Sequence, residues 1–159
     1  MKNSIARQRL SYLGLLAAFV GGSLFGCDGM PALIPNSDPA LRRSSASFAA
    51  DAAKRVYETS AQAQPDTEAR AKYELIFKQV DLTNISTNDE WDNVEVWINR
   101  KYVVFIPKVS PSTDVTLNFQ MFFDSDGNHF ETDSGQNPIK SIDIYRNGTM
   151  YSVPMHVAE

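Results

Sequence analysis

The chain has 159 residues, enough for one modest hydrophobic core and too few for two comfortable ones. Its 15 Lys and Arg stand against 19 Asp and Glu, a formal net charge of −4, and that balance leaves no basic footprint for nucleic acid. A single cysteine excludes an internal disulfide framework, so any fold must be held by burial.

Lys2, Arg7 and Arg9 form a positive start, and the stretch from Tyr12 to Val20 that follows is apolar apart from the Tyr12 hydroxyl. This is the order of the charged and apolar regions of a secretory signal. A membrane-spanning helix needs about 20 predominantly apolar residues, whereas Gly21, Gly22 and Ser23 interrupt this run early. A removable signal over residues 1–26 is the stronger reading.

Leu24-Phe25-Gly26-Cys27 closes that segment and resembles the lipobox of bacterial lipoproteins, with Leu three positions before the Cys and Gly directly before it. Phe25 departs from the small or β-branched residue usual there. The resemblance implies that Cys27 receives a diacylglyceryl group and that the chain is cut just before it, the new amino group often being acylated in turn. Two or more such chains anchor stably, because each buried methylene contributes about 0.8 kcal/mol. A location in the bacterial cell envelope is implied too, on the outer side of the cytoplasmic membrane or in the outer membrane. Asp28 resembles the residue that retains lipoproteins in the inner membrane of some enterobacteria. The alternative is an ordinary secretory signal with an incidental cysteine. Removing residues 1–26 takes away three basic residues and no acidic one, leaving 133 residues at −7. A chain that acidic gains nothing from anionic head groups, so the lipid must do the anchoring.

Residues 27–37, with two prolines and a glycine, read as a flexible tether. Ser37 or Asp38 before Pro39 is a helix start signal. It predicts a helix from about Pro39 to Ser60 within an amphipathic stretch, 38–62. Leu41, Phe48, Ala52 and Val56 share one stripe of that helix, available for packing on the domain or for a partner. Residues 63–72, around Pro65, read as a linker.

From Tyr73 the pattern changes to period two. A strand is expected from Tyr73 to about Leu82, then Asn93–Ile98 and Lys101–Ile106 as a hairpin through Asn99-Arg100. Thr113 to Phe123 alternates apolar and polar residues along one long strand. Ile139–Tyr145 and Met150–Val157 flank Asn147-Gly148, a strong type I′ turn signal. Pro154 cannot donate to a ladder, so it places its strand at an edge or ends the pairing there. The expected fold is mainly β with an N-terminal helix. Residues 73–159 would form a small antiparallel β-sandwich of immunoglobulin-like type, or an open barrel.

One segment reads as a site. Asp124, Asp126 and Asn128 in Asp-Ser-Asp-Gly-Asn match the opening of a calcium loop, where oxygens at alternate positions wrap a hard cation. His129 then stands where that loop needs Gly, and Gly135 where it needs a closing Glu, with Glu131 and Asp133 nearby. The competing reading is a turn that uses Asp, Asn and Gly for their backbone tolerance. Phe122 falls on the polar face of its expected strand, and with Trp91 it is a candidate exposed aromatic contact for a partner or a sugar. No phosphate loop, G-x-S-x-G or H-E-x-x-H occurs. The expectation is a non-catalytic structural or protein-interaction domain, lipid-anchored through Cys27 and without cofactor. The alternative is a carbohydrate- or calcium-binding module on the envelope.

Overall fold

A computed structural model of the protein describes residues 31–59, 63–132 and 139–157. The signal and Cys27 lie outside the described residues. Among those described, no helix is long and apolar enough to cross a membrane. The fold is mainly β: two mixed sheets that do not close into a barrel, arranged like a sandwich around one core, with one α-helix.

The N-terminal stretch is not the continuous helix that its composition suggests. Asp38 caps a short 3₁₀ turn, Pro39–Leu41, by accepting from the Ala40 N–H. The helix proper, α1 (Ser45–Ala52), starts only after Ser44 accepts from the Ser47 N–H. Two Asx and Ser caps six residues apart divide the stretch, because each side chain offers the backbone a local partner that competes with continued helix. Phe48 and Ala52, one turn apart, are the buried face of α1. Residues 53–59 then leave the helix.

The expected linker contains strands. β1 (Gln64–Pro65) and β2 (Ala69–Glu74) precede β3 (Gln79–Asn84), so the expected single strand 73–82 is instead the turn of a β2–β3 hairpin. β4 (Trp91–Ile98) and β5 (Tyr102–Val109) pair as expected, turning through Asn99 and Arg100, both left-handed. β6 (Thr113–Asn118) stops five residues short of Phe123, because the Asn118 side chain accepts from Gln120 N–H and starts a 3₁₀ turn, Phe119–Met121. β7 (Ile142–Arg146) and β8 (Thr149–Ser152) form the hairpin around Asn147-Gly148, with φ of +51° and +76°. Gly148 accepts that left-handed backbone without strain.

Pro154 ends the pairing, as its missing N–H requires. β8 lies in the first sheet, order β1-β8-β7-β4-β5, while β9 (Met155–Val157) crosses to the edge of the second, order β6-β3-β2-β9. Both β1–β8 and β2–β9 are parallel pairs, so the expected all-antiparallel pattern fails at two edges. Parallel partners are distant in sequence, and no turn signal announces them.

Apolar side chains from both sheets and from α1 form a single cluster, including Val80 and Leu82 of β3, Val94 and Val96 of β4, and Ile142 and Ile144 of β7. Fully burying side chains of this size contributes roughly 1.5–3 kcal/mol each. Trp91 and Val94 are both fully buried despite lying three apart, with Asn93 between them in a left-handed conformation (φ +53°) that breaks the period-two alternation.

Candidate functional site

After the 3₁₀ turn the chain runs out and back: Phe130 N–H donates to the Phe122 carbonyl at 2.8 Å, and Phe123 faces His129. Asp124–Asn128 is the bend between them. One Asp124 oxygen, Oδ1, accepts from the backbone N–H of Asp126 (3.0 Å) and of Asn128 (2.8 Å). The other, Oδ2, takes Asn128 Nδ2 (3.1 Å) and lies 3.3 Å from Lys101 Nζ. Burial pushes the Asp124 carboxyl up, but these donors outweigh it and hold the group below the usual carboxylate range. The segment is thus an Asx turn closed on itself. Asp124 is buried while Asp126 and Asn128 are exposed, and among the described residues no group of three or more His, Cys, Asp or Glu side chains is placed to hold a metal. Asp133 lies outside the described residues.

The two candidate contact aromatics are corrected by their burial, since Phe122 and Trp91 are both 0% exposed. The 3₁₀ turn shifts the phase of the chain after Asn118, which carries Phe122 from the polar face into the core. Trp91 packs against Arg146, whose guanidinium carbon lies 4.7 Å from the Trp91 ring and 4.8 Å from the Tyr151 ring. That guanidinium reaches Asp89 at 3.1 Å, Asp66 at 3.4 Å and Glu68 at 3.5 Å. The cluster ties the residues before β2 to the β7–β8 hairpin.

A second polar group lies under residues 53–59, on the outer face of the first sheet. Arg55 pairs with Glu95 at 3.1 Å and stacks on Phe105. Tyr57 sits edge-on to Trp97 and donates its hydroxyl to Asp143 at 3.1 Å, with Arg100 Nε 3.7 Å from the same carboxylate. Burial raises the pKa of both Glu95 and Asp143. The Tyr57 hydroxyl is raised as well, by burial and then by the Asp143 charge.

Two adjacent large apolar side chains stand open to solvent at one end of the second sheet. Glu74 pairs with Gln79 across a four-residue connection, Leu75–Lys78, which leaves Ile76 90% and Phe77 66% exposed. Lys78 ends that connection in a left-handed conformation (φ +52°), and its carbonyl accepts from Phe119 N–H at 2.8 Å. Beside it lies a cleft of about 200 Å³ lined by Lys78, Phe119, Gln120, His129, Phe130, Glu131 and Thr132. Phe130 packs edge-on against Phe119 and Tyr102, and His129 Nε2 lies 3.0 Å from Glu131 Oε1. On the other side of Gln79 and Asn118 a shallow groove is lined by Pro35, Asn36 and Ser37. There Asn36 Nδ2 donates to the Thr116 carbonyl at 2.7 Å. Ile34 is buried and its N–H donates to the Arg43 carbonyl, so the last residues of the expected tether are docked on the domain.

No protein-family model matches the chain, and searches of curated proteins and of solved structures return no match.

Proposed function

We propose that the protein is a lipid-anchored, exported component of the bacterial cell envelope whose β domain is a non-catalytic structural or interaction module. The anchor rests on the Leu24–Cys27 motif. The interaction role rests on one observation: Ile76 and Phe77 project into solvent at the β2–β3 connection, two adjacent large apolar side chains left uncovered by the described residues. The buried ionisable groups support a non-catalytic reading, because Arg146, Asp143 and Asp124 are each engaged by neighbours inside the fold. For the architecture, two facing sheets with free edges favour a sandwich over an open barrel. The immunoglobulin-like likeness goes no further than that, since β9 joins its sheet in parallel.

A photo-crosslinking residue at position 77, in the full chain in intact cells, is expected to capture an envelope component. No adduct from that position, together with turnover of an envelope substrate by the purified protein, would overturn the proposal.

A further inference from the structure

Of the six large apolar residues that stand exposed among the described residues, three lie at one end of the second sheet: Ile76, Phe77 and Val157. Val157 is placed there by its pairing with Tyr73, one residue before β2 ends. Pro35, Asn36 and Ser37 line a groove with Gln79 and Asn118 beside it. Ile85, in contrast, follows β3 at the opposite end of the same hairpin.

The chain enters the domain at this same end. Ile34 is the first buried residue among those described, and Cys27 precedes it by seven positions. Seven residues span at most about 25 Å even when fully extended. An acyl chain on Cys27 therefore keeps Ile34, where the chain enters the domain, within that distance of the bilayer surface. The side chains presented there are an aliphatic and an aromatic residue at the apex, followed by Lys78. An apolar apex flanked by a long cationic side chain suits the head-group boundary, where rings and aliphatic groups sink and an ammonium stays wet.

We infer that the Ile76–Phe77 apex inserts into the interfacial layer of the membrane that carries the Cys27 lipid, so that the domain lies against the bilayer and does not swing free. This rests on the lipid-anchored reading above and names the partner of that contact site. The driving force is apolar, in keeping with a mature chain of net charge −7, so the contact persists on uncharged phospholipid and at high salt.

The full chain is expressed with Phe77→Cys, purified from membranes, labelled with a polarity-sensitive fluorophore and reconstituted in phosphatidylethanolamine–phosphatidylcholine vesicles. Thr113→Cys, exposed at the far end of β6 opposite Asn84, serves as the control position. Position 77 is expected to shift its emission to the blue and to be quenched by lipid-borne spin labels, at low and high salt alike. Position 113 is expected to respond only to aqueous iodide. Intact mass reads the anchor separately. A lipid-modified Cys27 with an aqueous, lipid-insensitive label at position 77 overturns this inference alone. An unmodified Cys27 overturns the anchoring and this inference with it. A disulfide between two copies through position 77, without lipid quenching, assigns the apex to a second copy and also overturns it.

Discussion

The two ends of the second sheet are built on opposite terms. Where β2 begins and β3 ends, charge is buried: Arg146 lies between the Trp91 and Tyr151 rings and reaches Asp66, Glu68 and Asp89. Where β2 ends and β3 begins, apolar side chains face water at Ile76 and Phe77. A chain able to enclose a carboxylate as completely as Asp66, which is 4% exposed, has the means to cover two apolar residues at a turn. The first end holds the fold together, and the second is the place of the proposed contact.

The comparison breaks most directly at Arg146. Arg146→Ala leaves Asp66 buried without its cation, and about 3–5 kcal/mol of stability should be lost, read by urea unfolding. A loss under about 1 kcal/mol, the scale of an exposed pair, would mean that water already screens the cluster. At the bend next to the apolar end, Asp124→Ala removes the charged acceptor of the Asp126 and Asn128 N–H groups and should cost about 1.5–3 kcal/mol. Millimolar Ca²⁺ should leave the melting temperature of the unaltered protein where it is; a rise would reinstate the calcium reading of this turn.

The pH response separates the same kinds of site. Asp124 titrates below its ordinary range in the fold, so its contribution is present above the unfolded value and is lost as pH falls through the folded one. Asp143 and Glu95 are raised by burial, so their contribution is full below the unfolded value and is lost as pH rises through the folded one. Asp143→Asn keeps an acceptor for the Tyr57 hydroxyl and cannot ionise. Its stability should fall less than that of the unaltered protein as pH climbs from about 4 towards neutrality, as followed by melting temperature. An unchanged slope would show that Asp143 is not the group responsible. The smallest effect is expected at the apex: Phe77→Ser should move stability by no more than about 0.5 kcal/mol. A loss as large as that of a core aromatic, about 3–5 kcal/mol, would place Phe77 inside the fold and remove the basis for a contact there.

Local chemistry made part of this legible from the sequence. Asn147-Gly148 supplies the backbone freedom its turn demands, and Pro154 marks the point where the chain leaves one sheet for the other. The Asp124 bend is legible as a turn for the same reason, since Asp, Gly and Asn are what it uses. The apex was hidden because Glu-Leu-Ile-Phe-Lys-Gln holds no turn former, and Lys78 adopts a left-handed conformation that costs an L-residue about 1–2 kcal/mol. Alternation through Tyr73, Leu75 and Phe77 therefore reads as one strand. Phe122 was misplaced by a 3₁₀ turn whose only signal is the Asn118 cap. The parallel pairs of β1 and β9 depend on partners more than 80 residues away, which no local pattern encodes.

Whether lipid on Cys27 holds this domain at a membrane is read from the intact mass of the protein recovered from bacterial membranes. The expected species is a chain beginning at Cys27 with a diacylglyceryl group and, where the new amino group is acylated, a further acyl chain. A chain that retains residues 1–26, or one that starts elsewhere with Cys27 as a free thiol, would contradict it.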